Sequence, residues 1–202
     1  MIAILDYGSG NLRSAQRACE STGRTVVITR DFEIAMQADG LIVPGVGAYA
    51  SCMAGLVAIQ GDEIIRKRRE LERPTLGICV GMQILFSQGS ERSRDSAVLT
   101  PGVGLWPGEV SRLKADILPH MGWNSVETNP ASVLFAGVEN ESFYFVHSYA
   151  AKESVGQLTT WGTYGEKFVA AVEDGSLSAT QFHPEKSGKA GLKLLKNWAH
   201  SL

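Results

Sequence analysis

Gly77-Ile78-Cys79-Val80-Gly81 follows directly on an apolar run that begins at Thr75. A cysteine between two glycines at a strand-to-helix turn is the thiol counterpart of the G-x-S-x-G nucleophile elbow. Such a turn strains the backbone of the nucleophile, and its neighbours must lack a Cβ to avoid clashes. We therefore expect a buried strand ending at Cys79, a side chain pointing into solvent, and a helix over residues 82–86.

The first half of the chain repeats this pattern of strand, glycine-rich turn and helix. Residues 2–5 form an apolar run before Gly8-Ser9-Gly10, residues 11–21 are amphipathic, and residues 25–29 and 41–43 are further apolar segments. Apolar runs that alternate with helical periodicity predict a parallel α/β sheet.

A second helix with mixed character is predicted over residues 62–72. Apolar side chains recur there at helical spacing, between basic ones. This pattern is typical of a surface helix whose outer face is charged. We therefore expect the basic side chains at the solvent: Arg66, Lys67, Arg68 and Arg69.

The second half of the chain alternates as antiparallel strands would, after a polar, loop-like stretch over residues 89–104. Residues after Gly188 fit a closing helix packed on the sheet. The prediction is a single α/β domain over residues 1–202, with a mixed, mostly parallel central sheet flanked by helices. The antiparallel strands are expected at residues 123–126, 143–146, 157–161, 168–172 and 179–182.

Composition excludes several classes of function. The formal net charge of −2 offers no basic surface for nucleic acid or an anionic membrane. The first residues are interpreted as a strand rather than a secretory signal, and no stretch reaches transmembrane length. Cys19, Cys52 and Cys79 are widely spaced, which argues against a disulfide scaffold or a zinc site. We expect a cytoplasmic protein that needs no metal and no cofactor.

A cysteine nucleophile needs a base, and His183 is the best-placed histidine. It ends the apolar run in Gln181-Phe182-His183-Pro184-Glu185, where Glu185 could hold the imidazole tautomer as the third member of a triad. His120 and His147 could form a pocket wall but have no carboxylate so placed. His200 is interpreted as a surface residue.

Attack on an amide also creates an oxyanion, which two backbone N–H groups usually stabilise. Val80 could supply one of them. Pro44-Gly45-Val46-Gly47 follows a neighbouring strand, so Val46 or Gly47 could supply the other. Taken alone, this Pro-Gly-x-Gly sequence is more typical of a simple turn than of an oxyanion site.

Taken together, Pro44-Gly45-Val46-Gly47, the Gly77-to-Gln83 sequence and His183-Pro184-Glu185 resemble the class I (triad) glutamine amidotransferases. The resemblance covers essentially the whole chain and implies a flavodoxin-like arrangement of the α/β domain. Asp6-Tyr7-Gly8-Ser9-Gly10-Asn11-Leu12, Pro119-His120-Met121-Gly122-Trp123-Asn124 and His147-Ser148-Tyr149 narrow it to glutaminase subunits that serve a cyclase of histidine biosynthesis.

That resemblance implies a heterodimer with a (β/α)8-barrel cyclase, to which ammonia released from glutamine is channelled. It places the substrate near Gly47, Gln83, Ser148 and Tyr149. It also implies that the Val46 peptide rotates into the oxyanion hole only in the active complex. The residues expected at the partner interface are Asn11, Ser14, Arg17, Trp123, Asn124 and Lys186.

Three alternatives remain open from the sequence. A class I glutaminase could serve another synthase, such as that for anthranilate, aminodeoxychorismate, guanylate or pyridoxal phosphate. A cysteine hydrolase or peptidase could use the same elbow, although Gln83 favours a small amide substrate. A regulatory binding module could keep the fold without the chemistry, but the presence of all three triad side chains argues against it.

Overall fold

The structure is a computed structural model, which describes residues 1–91 and 99–202. The helices are α1 (Leu12–Glu20), α2 (Phe32–Gln37), α3 (Tyr49–Ala58), α4 (Gly61–Glu70), α5 (Val80–Gln83) and α6 (Gly188–His200), with a 3₁₀ turn at Pro184–Lys186. Within the described residues, none of these helices has both the length and the apolar character needed to span a membrane.

The strands begin with β1 (Ile2–Leu5), β2 (Val26–Thr29), β3 (Gly40–Gly45), β4 (Thr75–Cys79), β5 (Phe86–Gly89), β6 (Thr100–Pro101) and β7 (Trp106–Arg112). They continue with β8 (His120–Ser125), β9 (Ser142–His147), β10 (Tyr149–Ala151), β11 (Leu158–Tyr164), β12 (Glu166–Asp174) and β13 (Leu177–Thr180).

The central sheet has seven strands in the order β11-β12-β13-β4-β3-β1-β2. The five strands from β13 to β2 are parallel, and β11 and β12 pair antiparallel at one edge. Every residue of β1, β3, β4 and β13 is buried, as expected for parallel strands covered on both faces. Helix α1 packs against α6, and α4 packs against α2 and α3. The predicted α/β fold with a mixed, mostly parallel sheet is confirmed.

Two predicted strands, β8 and β9, lie outside the central sheet. They pair only with each other in the described part of the chain, with His120 opposite His147. One face of this β8–β9 ribbon stays open, since Met121 is 62% exposed and Trp123 59% exposed. Our expectation that both strands join the central sheet was wrong, because period-two alternation does not specify which sheet a strand enters.

The segment after the elbow also differs from the prediction. The helix there is the short α5, and Phe86 begins β5, which pairs with β7 and β6 in a separate four-stranded sheet. Ile84, Leu85 and Phe86 are all buried, so a helical face and a buried strand gave the same apolar pattern. Thr100–Pro101 is a strand rather than loop, and the predicted loop at residues 92–98 lies outside the described residues.

Arg68 is the clearest correction to the predicted surface helix. Its side chain is completely buried instead of lying on the charged face of α4. Five donors of a guanidinium suit a site where several carbonyl groups converge, and a hydrophobicity pattern cannot reveal such a site. Burial lowers the pKa of Arg68 to about 10, so the group stays charged at neutral pH. Its hydrogen-bond partners are the carbonyl groups of Ala35, Met36, Ala38, Asp39 and Pro74 and the hydroxyl of Thr75.

Candidate active site

Cys79 occupies a strained turn between β4 and α5, with φ 56° and ψ −114°. The flanking glycines are required by close backbone contacts. A Cβ on Gly77 would lie 2.7 Å from the Gly81 carbonyl oxygen, and one on Gly81 would lie 1.8 Å from that of Val43. The turn therefore has the geometry that the G-x-C-x-G sequence predicts.

The thiol of Cys79 faces a cavity rather than bulk solvent. The residue is only 3% exposed, and it lines a cavity of about 280 Å³. The segment from the end of β9 to the start of β10, residues 146–149, also lines this cavity, and the Val146 carbonyl oxygen lies 4.0 Å from Sγ. The predicted exposure of Cys79 was therefore wrong, because that segment covers the elbow.

His183, which follows β13, lines the same cavity, and Glu185 lies behind it. Pro184 starts the 3₁₀ turn, which brings Glu185 back so that its Oε1 lies 2.8 Å from His183 Nδ1. Both side chains are almost fully buried. Because a carboxylate can only accept, Nδ1 donates to Glu185, and Nε2 has no hydrogen-bond partner within the described residues.

His183 is held in its charged form. Burial lowers its pKa, but the neighbouring Cys79 and Glu185 outweigh burial and raise it to about 10. A protonated imidazole therefore lies beside the Cys79 sulfur at neutral pH. The structure thus brings together the three residues that the sequence singled out, Cys79, His183 and Glu185.

The other histidines have different surroundings. His147 also lines the cavity, and His120 lies behind it with Nδ1 3.0 Å from His147 Nε2. Burial lowers the pKa of His120 to about 4 and that of His147 to about 3, so both are neutral at pH 7. His200 lies exposed on α6, as predicted.

The proposed oxyanion donors lie on the other side of Cys79. Gly45 of β3 is in register with Cys79, which places Val46 and Gly47 on the cavity wall beside Val80. Val80 is the first residue of α5, where a backbone N–H has no partner within the helix. The Val46 N–H is already engaged, since it donates to Ser9 Oγ at 3.0 Å.

The Val46 peptide is held at its carbonyl group as well. The Ser9 hydroxyl lies 2.8 Å from the Val46 carbonyl oxygen, and the Cys52 thiol donates to the same oxygen at 3.4 Å. Sequence reasoning missed Ser9 and Cys52 in this role, because neither belongs to the Pro-Gly-x-Gly motif. Their contact with it comes only from the packing of residues 9 and 52 around Val46.

All four expected substrate residues line the cavity: Gly47, Gln83, Ser148 and Tyr149. The Gln83 amide donates to the Tyr149 carbonyl at 2.8 Å and to Gln181 Oε1 at 3.0 Å. Gln181 in turn donates to the Cys79 sulfur at 3.8 Å. Its position beside His183 was visible in the sequence, but its contact with the nucleophile was not.

Glu91 is a further cavity residue that the sequence did not reveal. Its carboxylate accepts a hydrogen bond of 2.9 Å from the Tyr49 N–H and lines the cavity. Burial raises the pKa of Glu91. It lies in a polar stretch without a motif, so only the fold brings it to the site.

Most of the residues expected at a partner interface surround the 3₁₀ turn. Ser14 and Arg17 on α1 border a surface depression with Glu185, while Asn11 caps α1 by accepting from the Ser14 N–H. Lys186 and Trp123 both lie beside the Tyr144 ring, at 6.0 Å and 6.2 Å from its centroid. The exception is Asn124, whose side chain points to the other face of β8 from Trp123 and bonds the Thr163 carbonyl.

Acidic residues, histidines and cysteines do not gather into a metal site in the part of the chain that the structure describes. The fold and site define a class of protein: α/β proteins with a cysteine, a histidine and a glutamate at or just after the carboxyl ends of parallel strands.

Comparison with known proteins assigns the chain to a family within this class. It belongs to the class-I glutamine amidotransferases, whose family model matches residues 3–202. Among solved structures it resembles one described as a glutamine amidotransferase, with a TM-score of 0.73 at 19% identity over 98% of each chain. It also resembles PurLQS from Thermotoga maritima, with a TM-score of 0.67 at 20% identity over 99% of this chain and 97% of the other.

Two curated relatives are much more similar in sequence. Imidazole glycerol phosphate synthase subunit HisH of Mycolicibacterium paratuberculosis is 58% identical over 100% of this chain and 98% of its own length. The protein of the same name from Thermobifida fusca is 54% identical over 100% of this chain and 98% of its own length.

Proposed function

We propose that this chain is the glutaminase subunit of an imidazole glycerol phosphate synthase. The observation that carries the proposal is full-length identity of 58% to a HisH subunit, in a chain whose cavity is lined by Cys79 and by a His183 that bonds Glu185. The substrate is glutamine, the products of this chain are glutamate and ammonia, and the site of action is the cytoplasm.

Glutamine binding uses the charged and polar groups of the cavity wall. The Glu91 carboxylate is suited to the α-ammonium group of glutamine. Gln83 and the backbone of Ser148, Tyr149 and Gly47 are suited to hold the rest of the molecule. The carboxamide carbon then lies within reach of the Cys79 sulfur, the position that orientation requires for attack.

In the chemical step, the Cys79 thiolate attacks the carboxamide carbon and forms a tetrahedral oxyanion. The N–H of Val80 and that of Val46 or Gly47 stabilise this oxyanion. The raised pKa of His183 keeps a proton on the imidazole, which is transferred to the leaving nitrogen as ammonia departs. His183, now neutral, then accepts a proton from water, whose oxygen attacks the thioester carbon. The carbon–sulfur bond breaks, which releases glutamate and returns Cys79 as the thiolate beside the protonated His183.

The Val46 peptide acts as a gate on this reaction. Its N–H cannot stabilise an oxyanion while it donates to Ser9. Rotation of the peptide, driven by the occupied partner, would break the Ser9 contacts and direct the N–H at the oxyanion. The isolated chain should therefore hydrolyse glutamine slowly, and turnover as fast as in the substrate-loaded complex would rule the gate out.

The partner in this proposal is a (β/α)8-barrel cyclase, joined in a heterodimer. It uses ammonia to make imidazole glycerol phosphate and aminoimidazole carboxamide ribonucleotide. The exposed side chains of Trp123 and Met121 provide an apolar surface for it, next to Lys186 and α1. A shielded passage between the two sites keeps ammonia from being protonated by water.

The experiment that tests the proposal is the substitution Cys79→Ala in the complex. Synthesis from glutamine should fall by at least about 10³-fold, because the nucleophile is lost. Synthesis from added ammonium salt should continue, because the barrel site is unchanged. Loss of both activities would mean that Cys79 or the division of labour between the subunits is misassigned.

The alternatives predict different partners or products. If another synthase co-purifies with the chain and accepts its ammonia, the chain serves a different pathway. Cleavage of peptides that does not respond to a barrel partner would identify a peptidase instead. The binding-module alternative predicts no glutamate release in any complex.

A further inference from the structure

A continuous series of hydrogen bonds crosses the molecule from the β8–β9 ribbon to the nucleophile. Asn124 Nδ2 lies 3.4 Å from His120 Nε2, and His120 Nδ1 lies 3.0 Å from His147 Nε2. His147 Nδ1 lies 3.0 Å from the Tyr149 carbonyl oxygen on the cavity wall. That oxygen also accepts from Gln83, which continues through Gln181 to the Cys79 sulfur.

The tautomers of both histidines follow from the ends of this series. A carbonyl oxygen can only accept, so His147 carries its proton on Nδ1 and offers a lone pair at Nε2. His120 must then donate from Nδ1, which leaves its Nε2 to accept from the Asn124 amide. Burial lowers the pKa of both groups far below 7, so neither gains the second proton that would reverse the direction of donation.

His120 is fixed in place by more than its hydrogen bonds. Its ring stacks between Phe145 and Tyr164, at centroid distances of 4.9 Å and 4.1 Å. The residue is 3% exposed and does not line the cavity, so it cannot touch glutamine. Any influence of His120 on the reaction must therefore pass through His147.

We propose that His120 is a positioning residue, which fixes the His147 tautomer and thereby the Tyr149 carbonyl that shapes the glutamine site. The inference rests on the proposed function and adds to it a physical link between the exposed Trp123 face of β8 and the glutamine pocket. On the outer face of β8, Trp123 is exposed to a partner, while Asn124 on the inner face holds His120. A shift of β8 on partner binding is thus passed to the Tyr149 carbonyl by two rigid rings.

The test compares His120→Phe with His120→Gln in the complex, with the partner's nucleotide ligand bound. Phenylalanine keeps the aromatic stacking but cannot donate to His147, whereas glutamine keeps a donor in the same region. His200→Phe, the same change at an exposed histidine on α6, is the matched control. Glutamate release is measured to separate KM for glutamine from kcat.

We expect His120→Phe to raise KM for glutamine about tenfold, the effect of leaving one buried acceptor unpaired. His120→Gln should restore KM to within about threefold of the parent value, and His200→Phe should change neither constant. A general loss of folded enzyme would instead lower kcat at unchanged KM. An unchanged KM in His120→Phe, or an equal rise in both His120 variants, would overturn the proposal.

A second measurement does not depend on any variant folding. Imidazole ¹⁵N shifts of the full-length parent chain should show a proton on Nδ1 and a lone pair on Nε2 for both His120 and His147. A proton on His147 Nε2 would overturn the proposal directly. This result is also independent of the proposed function, which fails separately if the wild-type complex makes no product from glutamine.

Discussion

Two buried histidines line one cavity, and at neutral pH His183 is charged while His147 is neutral. His183 has its pKa raised to about 10, while that of His147 is lowered to about 3. Burial lowers the pKa of both. The difference lies in the neighbours, because Cys79 and the Glu185 carboxylate, 2.8 Å from Nδ1, raise the pKa of His183, whereas His147 bonds the uncharged Tyr149 carbonyl at 3.0 Å.

This comparison indicates how two histidines of one cavity can have different roles, one in proton transfer and one in positioning. A neighbouring carboxylate keeps a buried imidazole protonated, so that it can donate a proton. A neighbouring carbonyl and a second imidazole keep it neutral and fix its orientation. In the proposed mechanism only His183 exchanges protons with the substrate. Its neighbour across the cavity, His147, maintains the shape of the glutamine site.

The largest difference in activity is expected between two variants, in which either His183 or His147 is replaced by glutamine. His183→Gln removes the proton donor and should lower kcat for glutamate release by about 10³- to 10⁴-fold. His147→Gln loses only a structural contact, and we expect a loss in kcat/KM of about tenfold. Both are measured in the complex, with circular dichroism to confirm folding. Equal losses in the two variants would show that the two histidines do not have separate roles.

A smaller effect should follow from making the surroundings of His183 resemble those of His147. Glu185→Gln removes the negative charge that favours the imidazolium, so the pKa of His183 should fall from about 10. Because the neighbouring Cys79 still favours the imidazolium while burial opposes it, the pKa should fall part of the way toward the ordinary 6.5. As the pH is raised, the variant should therefore lose the activity that needs the imidazolium at a lower pH than the parent does.

The measurement is the pH profile of glutamate release by the complex between about pH 6 and pH 10, the range between ordinary and raised histidine pKa values. At neutral pH the variant should be about 10²-fold slower than the parent. Glu33→Gln, an exposed residue on α2, serves as the control for a lost carboxylate. If activity declined at the same alkaline pH in Glu185→Gln as in the parent, the role given to Glu185 would be contradicted.

The sequence predicted the surroundings of His183 better than those of His147. Cys79, His183 and Glu185 lie in short motifs at strand ends, so local sequence was sufficient to propose them together. His120 and His147 meet only because β8 and β9 pair in register, a contact between segments 27 residues apart. Period-two alternation predicted both strands but neither their separate ribbon nor the pairing of the two rings.

Buried polar groups were the other limit of prediction. Arg68 looked like one of several surface charges, and its carbonyl partners come from α2, the residues after it and the start of β4. Glu91 reaches the cavity from a polar stretch without periodicity. In each case the partner groups are distant in the sequence, so hydrophobicity patterns carry no signal for them.

The smallest effect should appear on the wall that neither histidine contacts. Ser9→Ala removes the acceptor of the Val46 N–H and one donor to its carbonyl oxygen, and the Cys52 thiol remains as the other. Because the Cys52 contact offsets part of the loss of these two hydrogen bonds, a net change of about 1 kcal/mol should raise glutamate release by the isolated chain about fivefold. Ser201→Ala, which also removes a serine hydroxyl bonded to a carbonyl, is the control on the last turn of the chain.

The same variant should show no gain in the complex with nucleotide bound, because there the Val46 peptide has already left Ser9. This pattern separates the gate from both histidines. A defect at His183 or His147 would lower turnover in the isolated chain and in the complex alike, whereas a loosened gate raises it in the isolated chain alone. If Ser9→Ala left the isolated chain as slow as the parent, the slow turnover would have to arise from the histidine side of the cavity.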